Sequence, residues 1–252
     1  MKKIPVRQIT TPNETVVSGR FNIREVAGIL DGKDLVQDLH RHDFFFILAL
    51  CNGAGAHEID FTPYEVLNNS IFILRPGQVH QLSLDADCTG FLVEFDTAFY
   101  HPKDKLANQR LIRAGNKNFC AFEEERFKKL QDVLVYIFNE YITKQDGYID
   151  LIKANLDIFF IEFIRQSANP NDTSKKGSTY AQERFEEFIE LTSTHIAINK
   201  QVSQYSDLMN LSIYQLNAIT KATVGKPASE LINEQIVLEA KRYLLATPNQ
   251  VK

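Results

Sequence analysis

The 252-residue sequence has no tryptophan, two methionines and only three cysteines. Cys51, Cys88 and Cys120 are odd in number and far apart, and no C-x-x-C occurs. Neither a disulfide scaffold, a redox pair nor a thiolate zinc site is indicated, and a reducing cytoplasm is the simple expectation. Long apolar runs are missing too: the longest, residues 44–51, is far short of the ~20 residues a membrane-spanning helix needs. The opening MKKIPVRQIT has no apolar stretch, so neither a signal peptide nor a membrane partner is expected. Nor does charge of one sign accumulate. A net charge of −4 argues against a non-specific nucleic-acid coat, but not against a reader that uses a few positioned side chains.

What remains is an ordinary globular composition with 18 Phe and 9 Tyr, enough large apolar surface for a sizeable core. The first hundred residues carry short apolar segments (44–50, 71–74, 91–95) separated by turn signals such as Asn52-Gly53-Ala54-Gly55 and Arg75-Pro76-Gly77. Short strands at that spacing predict a sandwich or small barrel. Strand alternation sets His40, His42, Phe44 and Phe46 on one face, with His80 following the Pro76-Gly77 turn. Two readings stay open there. The five residues line an aromatic pocket with imidazoles at its mouth, suited to a small organic effector, or the rings fill a closed core while His80 caps a turn.

From 123 to 144 there is no Gly or Pro, and Phe127, Leu130, Leu134, Ile137 and Tyr141 recur at steps of three and four. That stripe approaches a coiled-coil repeat and makes the helix a dimer-interface candidate, or else a helix packed on its own barrel. A second helix is predicted over 148–165. Residues 166–179, QSANPNDTSKKGST, read as a linker. Beyond it everything reads as helix. Helices over 201–209 and 212–223, joined at Asn210-Leu211-Ser212, form a helix-turn-helix pattern, with Ser212 and Gln215 as a capping box and Gly225 as the stop. The helical period turns Leu216 and Ile219 inward. It leaves Ser212, Tyr214, Gln215, Asn217, Ala218 and Lys221 to meet DNA, since Gln and Asn can pair with adenine and Lys can reach guanine or phosphate. The plainer alternative is two packed helices with solvated side chains.

This segment resembles the AraC/XylS family of transcription regulators. The resemblance is carried by Asp207-Leu208, Leu211-Ser212, Leu216-Asn217, Lys221, Gly225-Lys226-Pro227, Leu231-Ile232-Asn233 and the run Leu238 to Leu245, LEAKRYLL. His40-Arg41-His42 and Pro76-Gly77-Gln78-Val79-His80 are similar to the two motifs of cupin barrels, which that family uses as sensors. The resemblance implies an α+β two-domain protein. A cupin-like sensor barrel with an N-terminal arm would span 1–122 and a helical dimerisation segment 123–165. After the 166–179 linker, a partial helix-turn-helix DNA-binding domain would span 180–252. It further implies a bacterial, non-enzymatic regulator that works as a homodimer on double-stranded DNA under a small-molecule effector.

Three departures stand out. Ala218 and Thr220 occupy positions where the family often has Arg and Phe. The family's second helix-turn-helix would begin where the chain reaches Thr247, which suggests a truncated or short product. Metal-binding cupins carry a carboxylate shortly after H-x-H, whereas Phe44, Phe45, Phe46 and Ile47 stand here, so no metal and no cofactor are expected. Residues 180–252 hold seven basic and eight acidic side chains, so DNA affinity would be weak. The rivals are a metal-dependent cupin enzyme, and a short form that dimerises with a complete regulator without binding DNA itself.

Overall fold

A computed structural model describes residues 5–7, 9, 19–102, 104–167 and 179–246. Most of the 166–179 linker and residues 247–252 therefore lie outside the described residues. The chain falls into two compact units, residues 4–168 and residues 169–252.

Among the described residues the first unit is built on ten strands in two five-stranded sheets. One sheet holds β1 (Val6–Arg7), β3 (Leu35–His42), β8 (Val79–Leu84), β5 (Gly55–Ile59) and β6 (Thr62–Glu65), in that order. The other holds β10 (Phe119–Ala121), β7 (Ser70–Leu74), β4 (Phe45–Asn52), β9 (Thr89–Phe95) and β2 (Phe21–Glu25). Helix α1 (Val26–Leu30) follows β2, and α2 (Lys105–Gly115), α3 (Glu124–Thr143) and α4 (Tyr148–Gln166) complete the unit. Gly90 at φ 144° lets β9 close on β4, since a Cβ there would sit 2.0 Å from the Ala49 carbonyl oxygen.

Strand β4 explains the apolar run at 44–51. Its even residues Phe46, Leu48 and Leu50 join Phe72, Leu74, Leu82 and Leu84 inside the barrel. Its odd residues Phe45, Ile47 and Ala49 face a second core shared with α2, α3 and α4. A strand covered on both faces needs apolar side chains at every position, so it reads as a continuous run.

Phe127, Leu130, Leu134 and Ile137 are buried in that second core, against Ile152, Leu156, Phe159, Phe160 and Phe163 of α4. Tyr141 is partly buried and donates to Asn22 Oδ1, whose amide in turn donates to buried Glu94. The stripe is therefore the inner face of a helix laid on its own sheet, and Phe127, Leu130, Leu134 and Ile137 are not available as a dimer seam. The apolar side chains α3 and α4 expose are others: Val135, Tyr136, Ile142, Leu151 and Ile158. No described helix is long and apolar enough to cross a membrane.

Among the described residues the second unit is all helical: α5 (Thr179–His195), α6 (Val202–Leu208), α7 (Ile213–Val224) and α8 (Ala228–Ala246). Phe188, Ile196, Tyr205, Met209, Leu216, Ala228 and Ile232 form its core. The Ser212–Gln215 capping box is present, and Gly225 ends α7 at φ 75°.

Candidate functional site

Four histidines from three neighbouring strands meet inside the barrel. His80 sits on β8 directly opposite His40 on β3. On the other side of β8, His57 of β5 pairs with Leu82, one diagonal step from His80. The turn that delivers His80 is held by buried Gln78, whose Oε1 accepts from the Arg75 N–H at 2.7 Å and whose amide donates to Asp60 at 2.6 Å. A bulge between Gln37 and His40 resets β3 so that both His40 and His42 point inward.

His57 Nε2 lies 2.9 Å from His80 Nδ1, and His80 Nε2 lies 2.7 Å from His42 Nε2, so three imidazoles share two hydrogen bonds. His40 Nδ1 donates to the Asp38 carbonyl at 2.7 Å. All four rings are no more than 5% exposed. Burial drives every one of their pKa values down, to about 3 for His42 and for His57, so the cluster is neutral at pH 7. The aromatic residues close over it: His42 contacts Phe44 and stacks on Phe46, and His57 contacts Phe72.

His40, His42, Phe44, Phe46 and His80 are therefore brought together, with two corrections. They do not lie on one strand: Asp43 and Phe44 make a bend at which the chain leaves one sheet for the other. Nor do the imidazoles stand at a mouth; they are among the most buried side chains of the barrel. Sequence reasoning missed His57. It has no second histidine within reach of a motif, and its only mark is the alternation by which His57 and Ile59 face inward on β5.

In the second unit, α7 is preceded by a tight turn in which Asn210 adopts φ 52°, and Arg184 donates to the Met209 carbonyl. Leu216 and Ile219 point inward, and Tyr214 is 83% exposed, with Ser212, Gln215, Ala218 and Lys221 also exposed. Two of the six proposed base readers are otherwise engaged. Asn217 donates through Nδ2 to the Ile213 carbonyl and accepts through Oδ1 from the Ala228 N–H, so it caps α8. Gln215 spends Oε1 on the Ser212 N–H and hydroxyl, which removes the bidentate geometry that reading adenine requires. Thr220 is fully buried and donates to the Asn217 carbonyl.

Asn217→Ala should therefore lower the unfolding free energy of the helical unit by about 1 kcal/mol, the usual cost of a lost N-cap. Urea unfolding followed by circular dichroism reads this directly. An unchanged midpoint would remove the capping role.

The comparisons with known proteins bear on the barrel. Residues 27–102 match the family model described as AraC-like ligand binding domain. This bears out the AraC-type resemblance over residues 27–102. No curated protein matches the sequence. Among solved structures, the AraC-like transcriptional activator CuxR is similar at 12% identity and TM-score 0.35, covering 90% of this chain and 78% of that one. ToxT from Vibrio cholerae strain SCE256 is similar in an apo variant, at 13% identity and TM-score 0.38, covering 88% of this chain and 99% of that one. Its wild-type form bound to an unsaturated fatty acid is similar at 13% identity and TM-score 0.33, covering 88% and 97%.

Proposed function

We propose that the chain, whose residues 27–102 match the AraC-like ligand binding domain, is a cytoplasmic, sequence-specific DNA-binding transcription regulator whose barrel senses a small effector. The observation that carries the proposal is the joining, in one chain, of that domain to a helical unit that presents a capped, outward-facing helix behind a tight turn. Helix α6 braces; α7 is the groove-sized rod, and Ser212, Tyr214, Ala218 and Lys221 make its contacts. Tyr214 and Ala218 offer apolar contact to thymine methyls, Ser212 a hydroxyl and Lys221 a charge. Two protomers would meet through the outer face of α3 and α4 and set the spacing of two half-sites.

Affinity should be modest. Arg184, Lys226 and Arg242 are tied to Glu187, Glu230 or Glu234, and Glu239. Lys200 and Lys221 carry no ion pair among the described residues, so few cations are free to displace counterions from phosphate.

The test is selection from a random duplex pool at low salt, followed by mobility shift at about 50 and 200 mM salt. A recurrent sequence motif is the expected result. Lys221→Ala should weaken binding evenly across sequences and reduce the salt slope by about one. A folded chain that enriches no sequence even at low salt would overturn the proposal.

A further inference from the structure

A second polar cluster lies on the inner face of the barrel, at the edge where β2 ends its sheet. Glu94 on β9 stands directly opposite Phe46 of β4 on one side and Asn22 of β2 on the other. Leu92, two positions earlier, stands opposite Leu48 and Arg24. Directly opposed residues share a face of the sheet, and Phe46, Leu48 and Leu92 belong to the barrel core. Asn22, Arg24 and Glu94 therefore face the chamber, not the helices. On the other sheet, Arg7 of edge strand β1 is registered with inward-facing His42, and its charge reaches Glu94.

Glu94 is 7% exposed. Its Oε2 accepts from Asn22 Nδ2 at 3.2 Å and from Arg24 Nη2 at 3.1 Å. Both bonds fall on that one oxygen. Among the described residues no donor reaches Oε1, and Oε1 is not sealed in, unlike the orphaned ring nitrogens of the histidines. Burial outweighs Arg24, Asn22 and Arg7 and holds the carboxyl above the usual 4.5. The carboxylate is thus short of donors and has one oxygen within their reach. Arg24 is half-exposed and gives Glu94 a single N–H bond, so its fork has donors to spare.

We propose that Glu94 Oε1 and the spare N–H groups of Arg24 form the polar end of the effector site, and that they take a neutral head group with a hydrogen-bond donor and an acceptor on neighbouring atoms, an amide or a vicinal diol. This names the ligand class for the sensor reading above and rests on that reading for the ligand's use as a cue.

Charge does the selecting. An ammonium meets Glu94 but also Arg24 and Arg7, and must break an ion pair to enter. A carboxylate meets Arg24 but lies against the charge of Glu94, where little water is left to screen the two. A neutral head avoids both penalties: its N–H or O–H donates to Oε1, and its oxygen accepts from Arg24. A site built to bond such a head rejects analogues that lack it, because its own buried groups are then left unpaired. Phe46, Leu48 and Leu92 give the body of the ligand an apolar wall. Asn22 donates to Glu94 and accepts from the Tyr141 hydroxyl, so a head seated on Glu94 is linked through one side chain to helix α3.

The full chain is titrated with ligands that share a cyclohexane ring and differ in the head: carboxamide, 1,2-diol, ammonium and carboxylate. Ligands this small bind in the millimolar range, so each is carried to about 10 mM and read by Tm and calorimetry. The amide, the diol or both should bind and raise Tm; the ammonium and the carboxylate should not. Glu94→Gln should weaken the neutral head by about tenfold or more, the worth of a hydrogen bond to a charged group. Glu58→Gln should change nothing, since its neighbours His57 and Ile59 are the inward-facing residues of β5. Arg24→Met, at a half-exposed position, should invert the order by admitting the ammonium, a swap that loss of folding cannot produce and that decides the matter if Glu94→Gln does not fold. Binding by none of the heads, binding led by a charged head in the unaltered chain, a folded Glu94→Gln chain that binds as before, or no swap in Arg24→Met would overturn the proposal. A chain that selects a DNA motif yet ignores every head loses this site and keeps the regulator reading; one that binds the amide through Glu94 but selects no DNA keeps the site and loses the regulator.

Discussion

Leu134→Ala is expected to lower the unfolding free energy of the first unit by about 2–5 kcal/mol, the range for a large core side chain whose cavity does not fully collapse. Leu134 is fully buried, midway along the face of α3 that meets α4 and the outer face of the β4 sheet. The loss should not vary with protein concentration, because the partners of Leu134 are in its own chain. A heptad seam would behave otherwise: its loss would grow on dilution, since unfolding would be coupled to dissociation. Urea midpoints at two protein concentrations tenfold apart decide between them. A concentration-dependent shift would return the stripe to an interface role.

A large acid sensitivity is the second expected result. His42 and His57 have folded-state pKa values of about 3, depressed chiefly by burial, against 6.5 for an exposed imidazole. Below 6.5 the unfolded chain binds protons that the native barrel refuses. Their stabilising contribution is therefore complete above pH 6.5 and is lost as the pH falls from there toward 3. Between pH 7 and pH 5 the chain should lose about 2 kcal/mol for each of the two groups, with His40 and His80 adding in the same direction. Thermal unfolding across that range measures it. A flat profile would mean that the rings are hydrated, and would remove the closed-core account of the cluster.

Much of this could be read from the chain, for reasons that lie in particular residues. The Ser212–Gln215 box and Gly225 mark α7 because caps are local chemistry, decided by side chains within four positions of the helix end. His40, His42 and His80 announce themselves through spacing and a Pro-Gly turn. What escaped depends on the third dimension. His57 joins the cluster only because β5 pairs with β8, and nothing within its own strand reports that pairing. The α3 stripe has the same sequence whether it meets a second copy or its own sheet, and the choice is made by Phe45, Ile47 and Ala49 some eighty residues earlier. Helix α2 went unread because three of its four described buried positions are Ala107, Ala114 and Gly115, too small to raise a stripe, while Leu106 points outward. Its one clear mark was Asp104, which accepts from the Ala107 N–H. Asn217 passed for a base reader because its engagement with Ala228 crosses from one helix to the next.

Strand β4 is a wall one residue thick between two tightly filled rooms. Phe46 and Leu48 belong to the chamber of the imidazoles, and Phe45 and Ile47, their immediate neighbours on the backbone, belong to the helices. Over that stretch the strand has no solvent-facing side chain whose rearrangement could absorb a push, and close-packed interiors compress little. Matter entering or leaving the chamber must displace the backbone itself, and the displacement arrives on the far side as a load on α3 and α4. Occupancy within the barrel and the posture of the helix pair are thus mechanically joined by adjacent peptide units, with no hinge or lever between them.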